Sequence, residues 1–392
     1  MLNTISFLES SLPQFLDDLA ALVNVDCGTF TKRGVDFCGD WVNARGQQWG
    51  WDMEYFPVRE FGNCHLARLR GNGAGKFLLL THLDTVYPEG VAAERPLRAE
   101  GNKLIGPGVG DMKAGVLAAL YAMRALQVQG LDNFAELAIF FGCDEEIGSP
   151  TGKKFYLPLV EKADAALVLE GARANGNIVS ARKGTGEYIL RVRGHAAHAG
   201  VEPEKGANAI LELAHQILAL HNLNGIAPGV TVNAGIIGGG TRTNVVPDAA
   251  HVEIDVRAVD AQGARIAHDA VMQLAAQTHV ARTRVEIAGA FNFPPMAKTP
   301  AIAFMADLAQ ATARELGFEI HDQATGGASD ANNVAATGVP VLDGLGPIGG
   351  SDHSPAEYVE RDSIVPRTAL LAGLIEKLCT RRAELLAFKN EK

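Results

Sequence analysis

Four segments of this 392-residue chain place acidic or imidazole side chains directly after apolar runs. They are His82-Leu83-Asp84 after FLLLT, Asp144-Glu145-Glu146 after AIFFGC, Glu170 after AALVL, and Asp352-His353 beyond PVLDGL. Asp111 stands in a glycine-rich loop, GPGVGD, ahead of an alanine-rich helical stretch. Two imidazoles with three carboxylates make a mixed nitrogen and oxygen donor set, which suits Zn²⁺, Co²⁺ or Mn²⁺ better than Ca²⁺ or Mg²⁺. One zinc needs only three protein ligands and an open position. Five separated candidates therefore point to two ions sharing a carboxylate, about 3.5–4 Å apart. The one-residue spacing lets Asp84 hydrogen-bond the far nitrogen of His82. Glu145 and Glu146 are adjacent and point different ways, so one can bind metal while the other stays free as a base.

Other chemistries find little support. No GxSxG elbow is present, and GPGVGDMK lacks the GxxxxGK[ST] spacing of a phosphate loop. His65, His215, His221, His251, His268, His279 and His321 stand outside the strand-end pattern and are read as structural or surface residues.

The elements that must position these groups follow from hydrophobic periodicity. KFLLLTHLDT, ELAIFFG and DAALVLEG read as strands covered on both faces, separated by the helix MKAGVLAALYAMRALQ and a shorter helix near Lys153 to Val160. Strands joined by helical crossovers imply an α/β fold with a mostly parallel central sheet. In such sheets, sites collect beyond the carboxyl ends of the strands, so the separated candidates converge on one rim. After Arg182 the pattern changes to strand GEYILRVRG, a helix around Ala207 to Leu220, strands TVNAGII and HVEIDVRAV, a helix around Ala261 to His279, and strand TRVEIAG. That order, βαββαβ, is the ferredoxin-like signature. FNFPPM reads as a return linker, after which α/β character resumes. The middle unit is thus expected as an insertion into one larger domain.

Composition narrows the partners. A net charge of −10 without a Lys/Arg run leaves no basic footprint for nucleic acid. No stretch approaches the roughly 20 consecutive apolar residues of a membrane span. The N-terminal segment, broken by Glu9, Asp17 and Asp18, reads as an amphipathic helix rather than a signal sequence. Five scattered cysteines without CxxC spacing read as free thiols, so a cytoplasmic protein is expected.

In order along the chain, THLDTV, GPGVGDMKAG, DEEIGS, LEGAR, GHAAHAG, TNVVP and GGSDHSPAE resemble the two-zinc metallopeptidase family. That family contains bacterial glutamate carboxypeptidase, aminoacylase, acetylornithine deacetylase and succinyl-diaminopimelate desuccinylase. The resemblance runs from about Leu78 to Glu357 and is strongest to the glutamate carboxypeptidase branch. It implies a zinc-exopeptidase-like catalytic domain over residues 1–183 and 294–392, with a lid and dimerisation domain over 184–293. It further implies that Asp111 bridges two divalent ions. His82 and Glu170 would complete one site, and Glu146 and His353 the other. Glu145 would be the general base and Asp84 the orienter of His82. His198 would reach the partner subunit's site in a homodimer, and Asn244 and Arg257 would hold the substrate, Arg257 at its carboxylate. His195 has no counterpart and is read as structural.

The implied activity is amide or peptide hydrolysis that releases a C-terminal or N-acylated amino acid. Two positions depart from the glutamate-specific pattern. Phe293 stands where relatives often place an arginine, and Ile178 stands near a basic position. An aminoacylase with apolar or aromatic preference is therefore the alternative, and a non-catalytic metal-binding homologue a more distant one.

Overall fold

KFLLLTH is apolar without alternation because it becomes an interior strand: in the computed structural model, which describes residues 2–390, Phe77 through His82 are all buried. The strand Lys76–His82 lies parallel between Glu136–Gly142 and Ala165–Val168. Val341–Leu342 adds a further parallel strand beside Ala165–Val168. On the other side Cys64–Arg70 and Asp52–Phe56 continue the sheet antiparallel, giving six strands in mixed orientation. The parallel part corresponds to the expected sheet, and the two antiparallel strands were not marked by the periodicity. Of PVLDGL only two residues are strand.

The helix Ala114–Val128 is buried along most of its length. It packs against Leu2–Val23 and Ile364–Thr380, which explains why its sequence is mostly apolar rather than amphipathic. Gly115 permits a close approach that matters for the site. A Cβ there would sit 2.0 Å from the carbonyl oxygen of Leu169, the residue before Glu170.

The chain divides into two compact units. One comprises residues up to 181, with 298–324 and 329 onward; the other comprises 182–297 with 325–328. The short return of 325–328 to the second unit has no signal in the sequence. That unit has the order strand Gly184–Arg193, helix Ala209–His221, strands Thr231–Gly239 and Ala249–Ala258, helix Ala261–Gln273 and strand Arg284–Phe293. Its four strands pair antiparallel, with Gly184–Arg193 between Ala249–Ala258 and Arg284–Phe293, and Thr231–Gly239 at the edge. Leu190, Val192, Leu213, Val252, Ile254 and Val271 form its core. The side chains of Asn208 and Asp260 cap the two helices by accepting from Leu211 N and Gly263 N. One expectation is corrected here. FNF is not linker: the last strand runs on through Phe293, paired to Thr185.

Glu212 is a buried carboxylate inside this unit. It accepts the backbone N–H groups of His279 and Val280 at 2.7 and 2.6 Å and the Gln216 amide at 2.8 Å. Burial opposes its ionisation, but these donors outweigh it and hold the carboxyl below its ordinary range. A depressed folded-state pKa stabilises above the unfolded value and loses that contribution as pH falls through the folded value. Glu212→Gln is therefore expected to cost about 2–3 kcal/mol at pH 7 in urea unfolding. The difference from wild type should shrink as pH is lowered below about 4.

Candidate metal centre

Parallel register brings the candidates to one rim. His82 pairs level with Gly142, and Leu80 with Val168, so the chain continues from neighbouring strand ends into Asp144-Glu145-Glu146 and Glu170. The Asp111 loop and His353 complete the cluster. Asp111 is an irregular turn residue just before the Ala114–Val128 helix, and the Asp111–Met112 peptide is cis.

His82 is fully buried. Its Nδ1 lies 2.9 Å from the Asp84 carbonyl and 3.4 Å from Asp84 Oδ1, which leaves Nε2 facing the cluster. Nε2 is 3.1 Å from Asp111 Oδ1 and 3.6 Å from Glu170 Oε1. The other Asp111 oxygen, Oδ2, is 3.1 Å from Nε2 of His353, and the same nitrogen is 3.3 Å from Glu146 Oε2. One carboxylate thus addresses two imidazoles, one through each oxygen.

Asp84, wholly buried, does more than orient His82. It accepts the Thr29 hydroxyl at 2.7 Å and the backbone N–H groups of Glu145 and Glu146 at 3.1 and 3.3 Å. These N–H groups open a short helical turn and would otherwise be orphaned. On the far side of that turn, Asp330 accepts Ser149 Oγ at 2.6 Å and Tyr156 Oη at 2.7 Å. Sequence reasoning missed Thr29 and Asp330. Neither lies in a motif with ligand spacing, and only contact across the fold reveals them.

Electrostatics reflect the crowding of acids. Burial pushes Glu145 well above the ordinary carboxyl range; His82 opposes this, while Glu170, Asp330 and Glu146 add to it. Burial raises Glu146 to about 7. Hydrogen bonds to Asp111 and Glu146 raise His353 to about 10. Burial disfavours a charged His82, but Asp111 and Asp84 lift its pKa well above the usual imidazole value. The cluster draws positive charge.

A divalent ion fits this donor set. The ligand atoms of His82, Asp111 and Glu146 lie within 4.8 Å of one another, as do those of His82, Glu145 and Glu170. Among the described residues Glu146 Oε1 is buried with no hydrogen-bond partner, an arrangement that is costly unless a cation satisfies it.

His198, Asn244 and Arg257 lie in the second unit. His198 and Asn244 are exposed neighbours, with Ala199 N donating to the Asn244 carbonyl at 3.0 Å. Arg257 is half-buried, ion-paired to Asp255 at 2.9 Å and bonded to the Gly326 carbonyl. His195 pairs through its backbone with Ala207. Ile178, expected near a substrate-reading position, is wholly buried in strand Ile178–Arg182. It therefore cannot report on specificity.

Fold and cluster together define a metallohydrolase of the α/β class. Residues 78–377 match Peptidase family M20/M25/M40, and the chain belongs to that family of peptidases and amidohydrolases. Carboxypeptidase G2 of Pseudomonas sp. (strain RS-16) is 29% identical over 371 residues, spanning 93% of this chain and 89% of the relative. Acetylornithine deacetylase of Klebsiella pneumoniae is 28% identical over 271 residues, 64% of this chain and 69% of the relative. Among solved structures, aminopeptidase PepT from Bacillus cereus superposes with a TM-score of 0.78 at 22% identity, covering 94% of this chain and 98% of its own. The YXEP protein of Bacillus subtilis, a dinuclear metal binding peptidase, gives 0.70 at 14% identity, covering 95% and 99%.

Asp84→Asn turns an amide N–H₂ towards donors that now meet an oxygen. Titration of the metal-free chain with Zn²⁺ is expected to show affinity about 10- to 100-fold weaker than wild type.

Proposed function

We propose that this chain is a two-metal hydrolase that cleaves the amide bond of a peptide or N-acyl amino acid and releases the amino acid on its C-terminal side. The observation that carries this reading is Asp111, with one oxygen 3.1 Å from each of two imidazoles. On this reading Asp111 is shared, His82 and Glu170 complete one ion position, and Glu146 and His353 complete the other. The donor chemistry favours Zn²⁺, with Co²⁺ and Mn²⁺ also suited. Held by these residues, two such ions would supply Lewis acidity, which would lower the pKa of water towards neutrality and polarise the scissile carbonyl.

Glu145 is the general base. It takes a proton from the attacking water and later delivers it to the leaving nitrogen. Asp84 fixes the His82 ring and the backbone of Glu145. Glu145→Ala is expected to retain metal while turnover falls about 10²- to 10⁴-fold. Metal analysis alongside an amide-hydrolysis assay checks this, and near-normal turnover in the metal-replete variant would refute the assignment.

For the substrate, the similarity to carboxypeptidase G2 favours release of a C-terminal amino acid. A second reading, an aminoacylase with apolar or aromatic preference, is favoured by Phe293, half-buried at the end of its strand. Rates on N-acyl-Glu, N-acyl-Phe and dipeptides separate the two.

The second unit is proposed as the lid and the dimer contact. Its edge strand Thr231–Gly239 carries no charged side chain and exposes Ile236 and Ile237. The adjacent helix exposes Ile210, Leu211 and Leu218. A long, uncharged, apolar edge is an aggregation hazard unless it is paired, and a second copy would pair it. His198 would then donate to the developing oxyanion of the other subunit, while Asn244 and Arg257 hold the substrate, Arg257 sharing itself between Asp255 and a carboxylate. The five free cysteines fit a reducing, cytoplasmic setting. Mixing His198→Ala with Glu145→Ala, each inactive alone, is expected to restore up to about a quarter of wild-type activity, because a mixed dimer carries one intact composite site. No recovery despite verified subunit exchange would count against the shared site.

A further inference from the structure

We propose that Glu357 is a positioning residue that clamps the Asp111 loop to the segments carrying His82 and His353, and thereby sets both ion positions together. The inference rests on the two-ion reading above. Glu357 is 1% exposed and is not a candidate ligand. Its Oε1 accepts Gly110 N at 2.8 Å and Asp111 N at 3.0 Å, and its Oε2 accepts Gly108 N at 3.1 Å. The Tyr87 phenol lies 2.6 Å from Oε2 and 2.9 Å from the Ser354 carbonyl, and the charged acceptor takes its single proton.

The connections this makes are specific. Tyr87 stands five residues after His82, Glu357 four residues after His353, and the three N–H groups belong to the turn that ends in Asp111. One carboxylate therefore ties together three ligand-bearing segments that are remote in sequence. Among the described residues the Gly108, Gly110 and Asp111 N–H groups have no backbone partner, so Glu357 supplies the acceptors. Burying a carboxylate is costly and needs full satisfaction. Here each oxygen takes two donors, and the buried Lys113 ammonium adds opposite charge nearby. Because Asp111 N is held directly, the clamp sets where the Asp111 carboxylate points. That carboxylate must reach both Nε2 atoms at 3.1 Å, so a small turn of its backbone would withdraw it from one of them.

Glu357→Gln keeps the shape but presents an amide N–H₂ to two of the four donors. Tyr87→Phe removes one bond and leaves the carboxylate and its backbone partners in place. The full chain, stripped with chelator, is titrated calorimetrically with Co²⁺ alone, with the thermal midpoint of the metal-free protein measured alongside. Wild type is expected to bind two ions. Glu357→Gln should weaken both dissociation constants together by about 10- to 100-fold, and Tyr87→Phe should shift both in the same direction by a few fold. A merely structural role would lower the thermal midpoint and leave both constants unchanged. Unchanged constants in the folded variants would overturn the clamp and leave the two-ion reading standing. Should Glu357→Gln fail to fold, the Tyr87→Phe constants decide. A wild type that binds no Co²⁺ would overturn the two-ion reading, and the clamp with it.

Discussion

Like charges crowded together repel one another, and much of this fold around the centre serves to manage that repulsion. Asp84, Asp111, Glu145, Glu146 and Glu170 converge on two imidazoles at the end of one sheet. Brought this close, these carboxylates repel one another unless positive charge or hydrogen-bond donors lie between them. The donors come largely from backbone. Asp84 takes two N–H groups from the turn bearing Glu145 and Glu146. Asp144 takes those of Thr151 and Gly152, just beyond the same turn. What backbone leaves unsatisfied, as at Glu146 Oε1, a cation is suited to satisfy.

This constraint explains why the candidates sit on a parallel sheet. Parallel strands in register send the segments that follow them towards one rim, so His82, the chain beyond Gly142 and, two residues past Val168, Glu170 come together without any loop having to search for it. The helix Ala114–Val128 must then come close enough to place the Asp111 turn beside that rim, and Gly115 against the Leu169 carbonyl is how it does so. The apolar sequence of the helix follows from the same requirement, since it is enclosed by two other helices as well as by the sheet.

These relations set what could be read in advance. The buried strands announced themselves because a strand covered on both faces is apolar at every position, and each ran into an acid or a histidine. Asp52–Phe56 did not, because its residues are mostly exposed and show no alternation. Val341–Leu342 is so short that PVLDGL overstates it, and Arg284–Phe293 outlasts its TRVEIAG core because the exposed end carries no pattern to mark its limit. The candidate ligands were legible since metal donors are few in kind. Thr29 and Asp330 were not, because a hydroxyl or carboxylate that only holds another residue in place has no preferred spacing from it. Ile178 shows the converse: the resemblance set it near a basic position of the relatives, and the fold turns that position inward.

The loop that carries His353 shows how such placement is sustained. Ser351 and His353 both adopt left-handed backbone conformations, with φ of 60° and 61°, at a cost of about 1–2 kcal/mol each for residues with a Cβ. Such conformations persist where the surroundings over-determine them. Here the Ser354 hydroxyl closes on the Ser351 carbonyl at 2.6 Å, and Tyr87 reaches the Ser354 carbonyl from the His82 segment. A regular turn would spare the strain but would carry the imidazole elsewhere. The neighbouring glycines, Gly349 and Gly350, could have absorbed unusual torsions, yet the left-handed residues are the serine and the histidine. What is held in this loop is therefore the direction of one side chain towards Asp111, with the backbone bent to suit it.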